Sequence, residues 1–142
     1  MKIVHQLLEA KGSDVWSVAP DETVYEAVRR MAEKEVGALL VMEGERLVGI
    51  LSERDYARQV ILKGRASRDT PVRDIMTRDV VTGRLDHRID VCMARMTERR
   101  IRHLPIVEDG QVVGMISIGD LVKAIIAEQQ ATISQLEQYI TG

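Results

Sequence analysis

The sequence predicts a mixed α/β fold built from two repeats, each with the order βαββα. Residues 15–56 lie over residues 80–121 without a gap, at a shift of 65 positions. Within each repeat, apolar residues follow helical spacing in one segment and form short strand-like runs in others. The motif Ser-x-x-Asp also stands at the same place twice, as SERD at 52–55 and SIGD at 117–120. Since a fixed internal period indicates repeated structural units, we expect two halves of similar fold.

The first strand and helix of each repeat follow from local pattern. We expect short strands at about 15–18 and 80–83, each followed by a turn, which falls at Pro20 in the first repeat. Helices are predicted at about 23–34 and 88–99. The apolar residues at helical spacing in the first of these helices are Val24, Ala27, Val28 and Met31.

The next two strands of each repeat are apolar runs joined by an acidic turn that contains glycine. They read ALLVM and RLVGIL in the first repeat, and HLPIV and VVGMIS in the second. The final helix begins near Glu53 in one repeat and near Ile118 in the other. The polar segment 63–71, which ends in Pro71, is the predicted linker.

These elements divide the chain into four segments. They are an N-terminal helix (1–11), a first repeat (12–66), a second repeat (67–127) and a C-terminal helical extension (128–142). A half of roughly 60 residues buries too little surface to be robust alone. We therefore expect the two repeats to pack through their sheets, about a pseudo-two-fold axis.

An apolar stripe runs along the C-terminal helical segment, and two interpretations of it stay open. The stripe covers the protein's own sheet, or part of it packs on a second subunit, because an exposed stripe of this length would be a liability in a monomer. Its members are Val122, Ile125, Ile126, Ile133, Leu136 and Ile140.

Composition disfavours several classes of function. The 142 residues carry a formal net charge of −2, which favours neither nucleic acid nor an anionic membrane as a partner. The apolar runs are too short to cross a bilayer, and the N-terminus lacks a signal peptide's core. The one cysteine, Cys92, aligns with Ala27 and is expected to be a small buried residue, and the three histidines lack the spacing of a metal site. We expect a soluble cytoplasmic protein.

Ser-x-x-Asp before a helix has two compatible interpretations. It is close to a capping box, in which the serine accepts from an early helical N–H and the acid reaches back. A short carboxylate at a strand-to-helix junction can also accept two hydrogen bonds from a ribose diol, while free N–H groups of the helix start meet a phosphate. The capping box prefers Glu or Gln where both repeats have Asp, which favours the second interpretation.

The chain resembles a tandem pair of cystathionine-β-synthase (CBS) domains, a Bateman module, over about residues 12–127. The resemblance rests on the paired GILSERD and GMISIGD, on RHLPIVEDG, on DIMT at 74–77 and on the 65-residue repeat. It implies clefts between the two repeats that bind AMP, ADP, ATP, NAD(H) or S-adenosylmethionine. It also implies a homodimer, because two such pairs often form a flat disc.

By this resemblance, Asp55 and Asp120 each hold a ribose, and each cleft is completed by the strand that leads into the opposite repeat. Asp120 should then face segment 11–18, and Asp55 should face segment 76–81. Trp16 is alternatively a core residue. The implied nucleotide-binding residues are Lys11, Val15, Trp16, Arg102, His103, Ser117, Ile118, Gly119 and Asp120 for one cleft, and Ala38, Ser52, Arg54, Asp55, Arg58, Met76 and Val81 for the other.

The cations available to a phosphate differ between the repeats. The family often places a basic residue just before the second strand of the repeat, where the second repeat has Arg102 and His103. The first repeat has the uncharged Ala38 there and would use Arg54 or Arg58 instead. Two plainer alternatives stay open, namely that Arg58 is a solvated helix residue and that His103 packs beside its strand.

The motifs indicate no catalyst, since the sequence has no Walker loop, nucleophile elbow, metal-binding histidine pair or CxxC. The resemblance implies a non-catalytic sensor of adenine nucleotides, with no catalytic cofactor. Such a sensor acts by a change in shape or in affinity for an unidentified regulated protein. The alternative is a structural, dimerising adaptor with vestigial clefts. Nucleic-acid binding through TERRIRH at 97–103 is disfavoured by the acidic net charge.

Overall fold

The computed structural model describes residues 2–141, so Met1 and Gly142, the outer ends of two predicted segments, lie outside the described residues. The mixed α/β fold predicted from the sequence is confirmed. In chain order the elements are α1 (Val4–Lys11), β1 (Ser17–Val18), α2 (Val24–Lys34), β2 (Ala38–Glu43), β3 (Arg46–Ser52), α3 (Glu53–Tyr56), α4 (Ile89–Arg99), β4 (His103–Glu108), β5 (Gln111–Ser117) and α5 (Ile118–Thr141).

The chain forms two compact units, which are described separately. The Asp55 unit contains residues 14–81 and 109–112. The Asp120 unit contains, among the described residues, 2–13, 82–108 and 113–141. Helix α1 therefore belongs to the unit that carries the second Ser-x-x-Asp motif.

The sheet of the Asp55 unit has the strand order β1-β2-β3. Strand β1 is parallel to β2, and β2 is antiparallel to β3 in a register that sets Ala38 opposite Ser52. The turn between β2 and β3 has its positive φ at Gly44 (61°), the conformation that the first central residue of a II′ turn requires. This hairpin brings Ser52, the first residue of the motif, to the end of β3.

Helix α2 covers the core of the Asp55 unit. It begins after Thr23, whose side chain accepts a hydrogen bond from the Glu26 N–H at 3.2 Å. On the predicted apolar face, Val28 is half-buried, and Val24 and Met31 are almost fully removed from water. Burial of each such side chain contributes about 1.5–3 kcal/mol. The helix ends at Lys34, and the next residue, Glu35, adopts the left-handed conformation with φ of 55°.

The Asp120 unit contains the two-stranded sheet of β4 and β5, and its helix α4 packs against α5. Helix α1 attaches to the segment before α4, where Val4 donates to the His87 carbonyl and His5 to the Leu85 carbonyl, both at 2.9 Å. Cys92 on α4 is 2% exposed, which confirms the prediction of a small buried residue. Burial raises the pKa of its thiol above the ordinary value.

The prediction of a strand at about 80–83 is wrong. In the Asp120 unit only Gly83 pairs there, in a single parallel bridge with Ile106. In the first repeat, Leu40 donates its N–H to the carbonyl before β1 at 3.1 Å. The counterpart of Leu40 is Pro105, which has no N–H, so the ladder cannot extend in the same way.

The final helices of the two repeats differ more than the sequence match suggests. Helix α3 has four residues and continues as a π-helical turn (Ala57–Ile61), so Arg58 lies on that turn and not on a regular helix. Helix α5 runs unbroken for 24 residues. The interpretation that its apolar stripe covers the protein's own sheet is wrong for five of the six members, which are exposed: Val122, Ile126, Ile133, Leu136 and Ile140.

Candidate functional site

The motif of the Asp120 unit lies where β5 ends and α5 begins. The Asp120 N–H donates to Ser117 Oγ at 3.1 Å, and the Ser117 N–H donates to Asp120 Oδ2 at 2.8 Å. The two bonds form a reciprocal capping box. The Ile118 N–H donates to the Arg102 carbonyl at 2.8 Å and so ties the junction to the residue before β4. The carboxylate of Asp120 is therefore held in place by the backbone.

Lys11, the last residue of α1, places its ammonium group on this carboxylate. Its Nζ lies 2.8 Å from Asp120 Oδ2 and 2.7 Å from the Met115 carbonyl oxygen. The side chains of Lys11 and Asp120 are only 29% and 23% exposed. Helix α1 ends at Lys11 because Gly12 follows with φ of 99°. The end of α1 thus delivers a cation to the second motif.

The ion pair also changes the titration of Asp120. Burial by itself raises the pKa of this carboxyl, whereas the hydrogen bonds from Lys11 and Ser117 and the charge of Lys11 lower it. The lowering outweighs the effect of burial, and the pKa of Asp120 lies below its ordinary value. The group is therefore ionised at neutral pH and available as an acceptor.

Gly114 on β5 allows α1 to approach the strand. A Cβ atom at position 114 would lie 2.8 Å from Leu8 Cδ1, closer than real side chains come. Leu8 is itself 5% exposed and has little room to move aside. The glycine of GMISIGD therefore positions the helix that carries Lys11.

The motif of the Asp55 unit repeats the cap at the end of β3. The Asp55 N–H donates to Ser52 Oγ at 3.2 Å, and the Ser52 N–H donates to Asp55 Oδ2 at 2.9 Å. The Glu53 N–H donates to the Gly37 carbonyl at 3.0 Å, as its counterpart does in the other unit. The second oxygen, Asp55 Oδ1, accepts from the Thr77 hydroxyl at 3.3 Å.

Extended chain, and not a helix, crosses the strand before Asp55. Thr77 and Ile50 exchange two backbone hydrogen bonds, both of 2.9 Å. A Cβ atom at Gly49 would lie 2.7 Å from Met76 Sδ and 3.0 Å from the Thr77 carbonyl oxygen. Gly49 thus admits this segment as Gly114 admits α1.

The structure therefore brings the expected groups together within each unit only in part. Lys11 joins Ser117 and Asp120 in one unit, and Met76–Thr77 joins Ser52 and Asp55 in the other. The remaining predicted residues differ in burial. Arg58, Arg102 and Gly119 are exposed, and Ala38 is fully buried. The half-buried ones are Arg54, Val81, His103 and Ile118, together with Val15 and Trp16, which belong to the Asp55 unit.

Trp16 is part of the Asp55 unit's core. Its ring packs against the buried cluster of that unit. Nζ of Lys34, the last residue of α2, lies 4.4 Å from the ring centroid. These contacts favour the plainer interpretation of Trp16 as a core residue.

Three contacts at the junctions were not predicted. Thr77 as a partner of Asp55, the Met115 carbonyl as a partner of Lys11, and Leu8 against Gly114 all depend on how a segment crosses a strand. The sequence does carry one signal that the two junctions differ. When the repeats are aligned at a shift of 65, the charged Lys11 corresponds to the apolar Met76.

Two further kinds of site can be addressed for residues 2–141. Within this range, no group of three or more His, Cys, Asp or Glu side chains could hold a metal ion. In the same part of the chain, no helix is both long and apolar enough to span a membrane.

Comparison with protein families identifies the repeats. The model of the CBS domain matches twice, at residues 11–61 and 72–127. The two matches together cover well over half of the chain, and each contains one Ser-x-x-Asp motif.

Individual proteins agree with this match. The chain is 42% identical over 138 residues to the mitochondrial CBS domain-containing protein CBSX3 of Arabidopsis thaliana, and the match spans 94% of this chain but 66% of that relative, just under two thirds. A putative signal-transduction protein with CBS domains from Burkholderia ambifaria has 48% identity and a TM-score of 0.88, over 90% of this chain and 96% of that one.

A more distant structure shares the fold. The CBS domain pair of protein MJ0100, solved in complex with 5′-methylthioadenosine and S-adenosyl-L-methionine, gives a TM-score of 0.77 over 90% of this chain and 98% of that one. At 23% identity, this likeness concerns the fold alone.

Proposed function

The chain belongs to the CBS domain family, and from this membership we propose that it is a non-catalytic regulatory module that binds adenine nucleotides at its two Ser-x-x-Asp junctions. The observation that carries the proposal is the ionised Asp120 carboxylate, fixed by the Ser117 N–H at 2.8 Å and paired with Lys11 at 2.8 Å. The proposed ligands are AMP, ADP, ATP or NAD(H), with S-adenosylmethionine as a further candidate.

The chemistry of the junction suits a nucleotide. A fixed carboxylate accepts hydrogen bonds from both hydroxyls of a ribose diol, and hydrogen bonds to a charged group are worth about 1.5–3 kcal/mol each. Lys11 already occupies Asp120 Oδ2, so a ribose would bind Oδ1 or displace the ammonium. A displaced Lys11 stays anchored at the end of α1, where its charge would attract a ligand phosphate.

The comparisons support an adenosine ligand at the level of shared chemistry. The MJ0100 pair was solved with two adenosine compounds, and both carry a ribose diol. The diol is the group that Asp55 and Asp120 would recognise, whereas the substituent at the 5′ position would be left to the surroundings of each junction. In the proposed function, ligand binding shifts a conformational equilibrium or the affinity for a regulated protein.

The alternative is an adaptor whose junctions bind no ligand. It is favoured by the reciprocal caps, because the hydrogen bonds of Ser52 with Asp55 and of Ser117 with Asp120 explain the motif without a nucleotide. The two functions differ in a property that can be measured directly, namely nucleotide affinity.

A thermal-shift panel with AMP, ADP, ATP, NAD, NADH and S-adenosylmethionine tests the proposal, with guanosine nucleotides as controls. A ligand that binds the folded state raises the melting temperature, by an amount set by its concentration relative to the dissociation constant. A rise with an adenosine ligand alone supports the regulatory module. A flat panel, on protein shown to carry no co-purified nucleotide, supports the adaptor.

Calorimetric titration of two variants then tests the assigned carboxylates. Asp120→Asn and Asp55→Asn keep a side-chain oxygen that can accept the capping N–H, so the fold should survive. We expect each to weaken binding at its own junction about tenfold or more, because one charged acceptor is lost. Unchanged affinity in both variants would contradict the ribose assignment.

A further inference from the structure

The outer part of α5 presents an apolar seam with the spacing of a coiled coil. Every residue from 129 to 141 is exposed. Along the helix, the seam residues follow one another at intervals of four and three, which average to the 3.5-residue period of two helices that wrap around each other. The seam consists of Val122, Ile126, Gln129, Ile133, Leu136 and Ile140. The exposed part of α5, residues 129–141, is within the length of about 12–15 residues at which an isolated helix is marginal in water, so a partner on the seam would stabilise it.

We propose that this seam packs against the same seam of a second copy of the chain, in antiparallel orientation. Isoleucine stands at three alternate seam positions and Leu136 between two of them, so five of the six seam positions carry apolar side chains that can pack against a second helix. In the antiparallel pair, Ile126 lies opposite Leu136 of the second copy, and Val122 lies opposite Ile140. The contact is two-fold symmetric, so each copy buries the same surface and no seam is left uncovered.

Charge complementarity selects the antiparallel orientation. Lys123 and Glu137 flank the seam on one side, and antiparallel pairing sets Lys123 of each copy beside Glu137 of the other, which makes two ion pairs. On the opposite side, the same pairing sets Tyr139, which is 88% exposed, against the half-buried Ile125 of the second copy. Both flanks are therefore complementary to themselves.

Parallel pairing in register lacks both matches. It sets Glu137 beside Thr132 of the second copy and Ile125 beside Gln130, and it makes no pair of opposite charges. Gln129, the one polar member of the seam, then faces itself. In the antiparallel pair Gln129 packs beside Ile133 of the second copy, close to the two-fold axis, and one polar seam residue helps to fix the register.

Sedimentation equilibrium on the full chain tests self-association through the seam. We expect a dimer that Ile133→Asp converts to a monomer, because a charge in the seam has no partner. The matched control is Ser134→Asp, one residue further on the side of the helix away from the seam, which should leave the dimer intact. A wild-type monomer at every concentration, or a dimer that Ile133→Asp does not weaken, overturns the proposal.

A charge exchange and a cross-link test the orientation. Lys123→Glu and Glu137→Lys alone should each weaken the dimer roughly fivefold, and the double variant should restore it. In a Cys92→Ala background, Gln130→Cys should form a disulfide-linked dimer on oxidation, because antiparallel pairing sets residue 130 beside itself. Efficient cross-linking of Gln129→Cys with none of Gln130→Cys would show a parallel pair and overturn the proposed orientation, as would failure of the charge exchange to restore the dimer.

Discussion

The two Ser-x-x-Asp junctions share one cap and differ in what crosses the strand before it. In both, the serine and aspartate exchange hydrogen bonds, and a glycine on the preceding strand admits a close neighbour. At the Asp55 junction the neighbour is extended chain, and the Ile50 carbonyl accepts the Thr77 N–H at 2.9 Å. At the Asp120 junction it is the end of α1, and the corresponding Met115 carbonyl accepts the Lys11 ammonium at 2.7 Å.

The difference teaches that the repeat fixes the carboxylate and leaves the charge around it open. Asp55 meets a neutral hydroxyl at 3.3 Å, whereas Asp120 meets an ammonium at 2.8 Å. The crossing segment therefore brings a neutral hydroxyl to one carboxylate and a cation to the other. We infer that the two would rank ligands of different phosphate charge differently.

Replacing the two glycines should give the largest effects on stability. Gly49→Ala would bring a Cβ atom to 3.0 Å from a backbone oxygen, and Gly114→Ala would bring one to 2.8 Å from the Leu8 side chain. We expect both to lower the free energy of unfolding by about 1–3 kcal/mol, as overpacking does. Gly49→Ala should cost more, because backbone yields less than a side chain. Urea unfolding measures both, and Gly44→Ala, where a Cβ meets nothing within 4 Å but φ is positive, separates steric clash from backbone strain.

If neither strand glycine matters to stability, the crossing segments do not pack as closely as described. If Gly114→Ala alone is costly, the approach of α1 is the tighter of the two. Either result would change the described packing of the crossing segments, on which the comparison of the two junctions depends.

Exchange of Lys11 for methionine should remove the cation that the crossing segment brings to the Asp120 junction. Met76 holds the corresponding position in the first repeat, so Lys11→Met substitutes one repeat's residue into the other. Under the proposed function, ATP affinity at this junction should fall about tenfold, the value of one charge-assisted hydrogen bond, while adenosine affinity changes little. Lys63→Met, at an exposed lysine outside both junctions, is the control. Equal losses for ATP and adenosine would show that Lys11 does not act on phosphate.

Much of the fold could be predicted, because the repeat pairs every local signal with a second copy. The helices at 23–34 and 88–99 and both hairpins were predicted from apolar spacing and turn residues, and all four are present. The strand at 80–83 failed for a reason visible in the sequence, since Pro105 lacks the N–H that Leu40 donates.

The two carboxylates could be selected from a local motif, whereas the segments that meet them, 11–18 and 76–81, were expected only from the family resemblance. Asp55 and Asp120 stand in a local motif whose cap is defined within four residues. Lys11 and Thr77 reach them across 109 and 22 positions, through the approach of a separate segment to a glycine. Such contacts depend on the packing of distant elements, which a local pattern does not specify.

Acid should lower the free energy of unfolding more in the wild type than in Lys11→Met, because only the wild type has the ion pair at Asp120. The folded pKa of Asp120 lies below its ordinary value of 3.8, because the Lys11 and Ser117 bonds outweigh the effect of burial. The stabilisation is therefore fully present above pH 3.8 and is lost as the pH falls through the folded pKa. Lys11→Met should reduce this acid loss by less than about 1 kcal/mol, measured by urea unfolding between neutral pH and pH 3. Glu22, whose pKa Arg30 lowers, is the same in both proteins and cancels.

The smallest expected effect is at Thr77, and it tests whether the Asp55 junction depends on the Thr77 hydroxyl at all. Thr77→Val keeps the shape of the side chain and both backbone bonds to Ile50, and removes only the 3.3 Å contact with Asp55. Because that bond is long and the residue is exposed, the free energy of unfolding should fall by less than about 0.5 kcal/mol. A larger loss would mean that the hydroxyl holds Asp55 as firmly as Lys11 holds Asp120. The two junctions would then not differ in how firmly the crossing segment holds the carboxylate.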